Sequence, residues 1–152
     1  SLMLVSPAVG YGSQGEEIQT ERRTGRIELL ETLGPKGLAR NRHSNLLSST
    51  APKWARERVE KVMSEIRPDG YRQAVELLVL NNIIVDAVEV LFPVSVVVGG
   101  ADTVTPPETC KLIAESFPRS TFKILPDLGH ACYVEGPEKF NISLQDHLDK
   151  YP

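Results

Sequence analysis

Two titratable side chains stand where acid–base chemistry can be built. Asp102 follows the apolar run Pro93-Val-Ser-Val-Val-Val98 and the paired glycines Gly99-Gly100, in a turn closed by Pro106. His130 follows Thr121-Phe-Lys-Ile-Leu125 and the turn Pro126-Asp-Leu-Gly129. Strands that each release one titratable residue at the C-terminal end are how α/β sheets build active sites. A histidine in such a turn can serve as an exposed general base. An aspartate there can accept a hydrogen bond from the imidazole, fix its tautomer and stabilise the imidazolium during turnover. Each residue also has a plainer use. A turn aspartate satisfies local backbone donors, and a lone histidine is commonly a half-buried polar residue.

The other chemistry-bearing residues carry less. His43 lies in a charged helical block and His147 in a C-terminal amphipathic helix. Cys110 and Cys132 have no metal-ligand spacing and form no disulfide framework, which points to reduced thiols in a cytoplasm-like compartment. Cys132 reads as a buried small residue. Trp54 and Tyr71 are candidates to line a substrate pocket, with Trp54 taken as the substrate-binding residue, although helix packing is the commoner use of such side chains. Arg40 and Arg42 could steer a carboxylate, but a solvated helix face is the simpler account. No metal site and no cofactor is called for.

The elements that must position Asp102 and His130 follow from pattern. Leu2 to Ser6 is a short apolar run, closed by Pro7 and the glycines at 10, 12 and 15. Residues 11–26 are polar without periodicity and read as an exposed connection. Ile27, Leu29, Leu30 and Leu33 recur at helical spacing until Gly34-Pro35 stops them. Ser48-Ser-Thr50 offers an N-cap before Pro52-Lys-Trp54, opening a helix through Val59 to Ile66. Asp69 then caps a helix from Tyr71 to Asn81. From Phe92 the pattern becomes strand (93–98), helix (107–117), strand (121–125) and helix (136–149), the alternation of βαβ units on a parallel sheet. The division predicted is a core strand with its connection (1–21), a helical insertion (22–90) and a C-terminal α/β core (91–152).

At 152 residues the chain is long enough for one domain with a true core. An apolar share of 41% and a charged share of 24% are those of a globular protein. A net charge of −3 with no basic block gives no reason to expect nucleic acid or an anionic membrane as a partner. No apolar run is long enough to form a spanning helix.

Taken together, the motifs resemble the α/β-hydrolase superfamily. Asp before His, each at a strand end with one helix between, is similar to the second half of that superfamily's Ser…Asp…His order. Pro93-x5-Gly99-x2-Asp102-x3-Pro106 looks like its acid strand and turn. Gly129-His130, with Glu135-x-Pro137-x2-Phe140 after it, looks like its histidine loop and final helix. Ser1-Leu-Met-Leu-Val-Ser-Pro7 resembles the strand after the nucleophile helix. The helical insertion then sits where those enzymes carry a cap. Arg26-Ile27…Leu33-Gly34…Gly37-Leu38-Ala39, with Pro68-x-Gly70-Tyr71, is most similar to the cap of 3-oxoadipate enol-lactonases. The fold class expected is α/β: the C-terminal part of an α/β-hydrolase sheet, three parallel strands with flanking helices and a helical cap insertion. The resemblance implies that Asp102 is the triad acid, that His130 is the base, and that the substrate is a small-molecule ester or lactone. Meta-cleavage C–C hydrolases share this core, but they often place an aromatic residue where Ala131 stands.

The sequence departs from the family at the nucleophile. No Gly-x-Ser-x-Gly elbow occurs. Gly12-Ser13-Gln-Gly15 has the wrong spacing and leads into a polar stretch. Ser1 as an N-terminal nucleophile would lie far along its strand from the ends that bear Asp102 and His130. Because the chain opens on a strand, without Met, signal peptide or tag, the reading is that it is part of something larger. An unpaired apolar strand is an aggregation hazard, so a complementary N-terminal half is expected, as a separate chain or a cleavage product. That half would carry the serine elbow and the oxyanion hole, making a cytoplasmic heterodimer. A degenerate hydrolase fold used as a binding module is the non-catalytic rival; an intact Asp102 and His130 argue against it. With the nucleophile out of view, esterase, C–C hydrolase, epoxide hydrolase and haloperoxidase chemistry stay open.

Overall fold

The computed structural model describes residues 1–151; the last residue of the expected 91–152 segment lies outside the described residues. Three strands, β1 (Leu2–Val5), β2 (Val94–Gly99) and β3 (Ser120–Leu125), form one parallel sheet in the order β1-β2-β3. Leu2 pairs with Val94 and Val94 with Ser120, so all three strands run in step toward the same end. All six residues of β2 are buried, because a central parallel strand is covered on both faces and needs an unbroken apolar run.

Alternation along β2 divides the core. Val94, Val96 and Val98 face one side, packed with Cys110, Ile113, Ala114 and Phe117 of or beside α5 (Pro107–Ser116). Val97 faces the other, with Leu125, Leu128 and Cys132, and Phe140 of α7 (Pro137–Lys150) against them. On that same face Ser95 and the buried His147 form a polar pair, Oγ to Nδ1 2.8 Å. The strand–helix–strand–helix order after Phe92 is therefore as the sequence pattern predicts. A short helix, α6 (Cys132–Glu135), is added directly after His130.

Between β1 and β2 the chain is helical: α1 (Glu16–Arg42), a 3-10 turn (His43–Leu46), α2 (Lys53–Ser64), α3 (Pro68–Leu80) and α4 (Ile83–Ala87). Three local expectations are corrected. First, residues 16–26 are helix rather than an exposed connection. Their polar side chains hide the helix from any search for apolar periodicity. The helix is held by Gln19 Nε2 donating to the carbonyls of Tyr11, Gly12 and Gln14, and by Arg22 and Arg26 stacked about 5.5 Å from the Tyr11 ring. The break at Gly34-Pro35 is present as a kink, with Gly34 at φ 63°, ψ 174°, and the helix resumes after it.

Second, Ser48–Thr50 do not cap α2. Pro52 occupies the cap position with no side-chain bond, and Ser48 is engaged elsewhere, as described below. Third, Asp69 does not cap α3. The helix starts at Pro68, whose missing N–H costs nothing in a first turn, and Asp69 sits inside that turn, 3.2 Å from Arg72.

Candidate active site

Gly99 ends β2, and the chain turns at once. The N–H groups of Gly100 and Ala101 donate to the carbonyls of Leu125 and Leu128, both at 2.8 Å, tying the acid turn to the loop after β3. A Cβ on Gly99 would lie 2.2 Å from the Gly129 carbonyl oxygen. Glycine is needed there because the two strand-end loops pack backbone to backbone. Gly129 is constrained in the same way from its other side, where a Cβ would meet the backbone of Leu47 and Ser48 at 2.5 Å.

That packing brings Asp102 and His130 together. His130 Nδ1 lies 2.9 Å from Asp102 Oδ2. The second carboxylate oxygen, Oδ1, accepts from the N–H groups of Val104 (2.8 Å) and Thr105 (2.9 Å). The turn-stabilising use of this aspartate and its pairing with histidine are thus both present, one on each oxygen. Burial pushes the Asp102 carboxyl up, but the hydrogen bonds from His130, the Thr105 N–H and the Thr105 hydroxyl outweigh it and hold the group below the ordinary aspartate value. The Asp102 side chain has no exposure, whereas His130 retains 26%. The carboxylate can therefore act only through the ring, and the ring alone reaches outward. Nδ1 is the ring nitrogen that faces Asp102, and no hydrogen bond engages Nε2 among the described residues.

The residue that pattern reading passed over is Glu135, which the sequence displays only as part of a motif. It is buried at the end of α6. Its Oε2 accepts from the N–H of Gly129 at 2.8 Å and of Ser48 at 3.0 Å, and its Oε1 accepts from the Ser48 hydroxyl. One carboxylate therefore fastens the histidine loop to the helical block. Its place in the Glu135-x-Pro137-x2-Phe140 motif, five positions after a candidate base, was the signal that could have found it.

A cleft of about 380 Å³ opens between the helical block and the acid turn. Leu38, Leu46 and Met63 make its apolar side, Arg42, Asn45 and Tyr71 its polar side, and Thr103 and Val104, directly after Asp102, its floor. Trp54 does not line this cleft. It lies half-exposed on the first turn of α2, because the face of that helix turned inward carries Ala55 and Val59 instead. Arg40 stays on an exposed face, 4.0 Å from Glu60, while Arg42 reaches the cleft. Ser13 remains in the loop before α1, where Asn82 Nδ2 donates to its hydroxyl at 2.7 Å. Ser1 precedes Leu2, paired with the first residue of β2, so it stands at the opposite end of the sheet from Asp102. His43 is bonded to the Ala39 carbonyl.

Cys110 and Cys132 are unlinked and fully buried, and burial pushes both thiols up to about 11, far from nucleophilic at neutral pH. Among the described residues no three His, Cys, Asp or Glu side chains gather as a metal site requires, and no helix is long and apolar enough to cross a membrane.

No protein-family model and no curated protein matches this sequence. Solved structures do match by shape. A thermophilic esterase from Thermogutta terrifontis superposes at TM-score 0.82 with 24% identity, over 97% of this chain and 55% of its own. The enol-lactonase from Burkholderia xenovorans LB400 gives 0.80 with 18% identity, over 97% and 55%. An alpha/beta hydrolase enzyme from a Medee basin deep-sea metagenome library gives 0.73 with 18% identity, over 97% and 55%. The chain spans little more than half the length of each. At these identities the likeness is one of fold, and its three parallel strands with flanking helices are the C-terminal part of the α/β-hydrolase fold.

Proposed function

We propose that this chain supplies the acid, the base and the cap of a serine hydrolase that cleaves a carboxylic ester or lactone. The nucleophile and oxyanion hole would come from a complementary N-terminal half. The observation that carries the reading is the 2.9 Å contact of His130 Nδ1 with a fully buried Asp102, placed at the C-terminal ends of adjacent parallel strands.

The chemistry follows from that contact. His130 Nε2 takes the proton of the partner serine as its oxygen attacks the ester carbonyl. Asp102 stays ionised and stabilises the imidazolium. The imidazolium then returns the proton to the leaving alkoxide, giving an acyl-serine and an alcohol. Water, deprotonated by the same Nε2, releases the carboxylic acid and restores the serine. For a lactone the alcohol and acid remain in one product.

Two further observations support the partner. β1 is an edge strand whose four residues are only half-buried, and an apolar parallel edge is a pairing template. The fold it shares with esterases and an enol-lactonase is, in those structures, nearly twice as long. Buried, unlinked cysteines fit a reducing, cytoplasm-like compartment.

The test is co-purification under native conditions followed by ester and lactone screening. A second chain bearing Gly-x-Ser-x-Gly, with turnover in the assembly and none in either half, is the expected result. A soluble monomer with no partner sinks the reading.

A further inference from the structure

Thr105 is buried, and its hydroxyl stands at a junction. Its oxygen is 2.9 Å from Asp102 Oδ2, 3.1 Å from His130 Nδ1 and 3.1 Å from the carbonyl oxygen of Ser6, the residue directly after β1, which has a left-handed φ of 48°. The backbone N–H of the same residue holds Asp102 Oδ1 at 2.9 Å. Thr105 therefore touches both carboxylate oxygens, the ring, and a strand that is remote from it in sequence.

We propose that Thr105 is a positioning residue for the Asp102–His130 pair, a role that rests on the hydrolase reading above. The hydroxyl has one proton and two acceptors, Asp102 Oδ2 and the Ser6 carbonyl. Whichever it serves, its oxygen stands beside both Nδ1 and Oδ2. Oδ1 is held by two N–H groups, and the Thr105 hydroxyl adds a second contact to Oδ2 beside that of His130. The imidazole is then presented in one tautomer and one plane, with the geometry anchored to β1 rather than to the acid turn alone. Preorganisation of this kind acts on the rate of the chemical step more than on substrate binding.

Thr105→Val keeps the shape and deletes the hydroxyl; Thr105→Ser keeps the hydroxyl. Both are made in the complete assembly. Three quantities are read: kcat and KM on an ester substrate, and the low-field proton resonance of His130 Nδ1–H. The expected result is a fall of about tenfold in kcat for Thr105→Val at unchanged KM, the worth of one hydrogen bond. The Nδ1–H resonance should be displaced in the same variant, and Thr105→Ser should restore both. An unchanged kcat and resonance in Thr105→Val, or a Thr105→Ser variant as impaired as the valine, overturns the proposal. If the wild-type assembly turns over no ester, the hydrolase reading fails instead, and the resonance, which needs no turnover, still decides whether Thr105 orders the pair.

Discussion

Glu135 is hydrogen-bonded to Ser48 across 87 residues of sequence, through both the backbone N–H and the hydroxyl of the serine. The same carboxylate holds the N–H of Gly129, the residue before His130. The loop that carries His130 is thereby tied to the helical block as well as to the sheet.

Removing that carboxylate leaves buried donors without an acceptor. Glu135→Ala should destabilise the folded assembly by about 3 kcal/mol, and Ser48→Ala by about 1 kcal/mol, as measured by urea denaturation. Ser48 still donates its N–H after substitution, which is why its effect is the smaller. Equal effects would mean that the hydroxyl, rather than the pair of N–H groups, carries the link.

Asp102 makes the fold acid-sensitive in a defined window. Its folded value lies below the unfolded one, so the ionised carboxylate favours the folded state. That contribution is intact above about pH 4 and is lost as the pH falls through the lower folded value. Asp102→Asn has no such proton to bind. Its stability should therefore decline less steeply below pH 4 than that of the wild type, whatever its stability at pH 7. Parallel curves would show that Asp102 contributes nothing to acid unfolding.

The two thiols should be inert in the native state. With both pushed up to about 11 and buried, neither Cys110 nor Cys132 should react with an aromatic disulfide reagent at pH 8 until denaturant is added, when both should react. Rapid labelling in native buffer would mean that the core around α5 and α6 opens locally.

Among the described residues, Arg42 is the only charged one lining the cleft. Its removal should discriminate between substrates. For an ester carrying a distal carboxylate, Arg42→Ala should raise KM about fivefold, the scale of a partly solvated ion pair. The neutral isostere should be unaffected. A uniform change in both would assign Arg42 to packing.

Much of this was legible in the sequence, for reasons that can be stated. The valine run of β2 is unbroken because both its faces are covered, and Gly99 and Gly129 stand where two loops touch. Those signals are local, and they place Asp102 and His130 correctly at adjacent strand ends. What pattern reading missed depends on long-range pairing. Ser48 looks like a helix cap until Glu135 arrives from 87 positions away. Thr105 looks like a turn residue until Ser6 is brought to it from 99 positions away. Trp54 looks like a pocket residue, but its exposure is set by how α2 rotates onto Ala131, which adjacent residues do not record. The start of α1 was lost because a polar helix lying on a tyrosine has no apolar stripe to display.

In the proposed hydrolase, His130 activates a nucleophile that lies outside this chain. That activation is tested most directly by the rate at which a fluorophosphonate labels the native assembly, with wild-type His130 and with His130→Gln. The expected result is a label on a serine of the partner half and none on this chain, with labelling slowed at least about 10³-fold in the variant. Label on Ser13 or another residue of this chain, or a rate indifferent to His130, would contradict it.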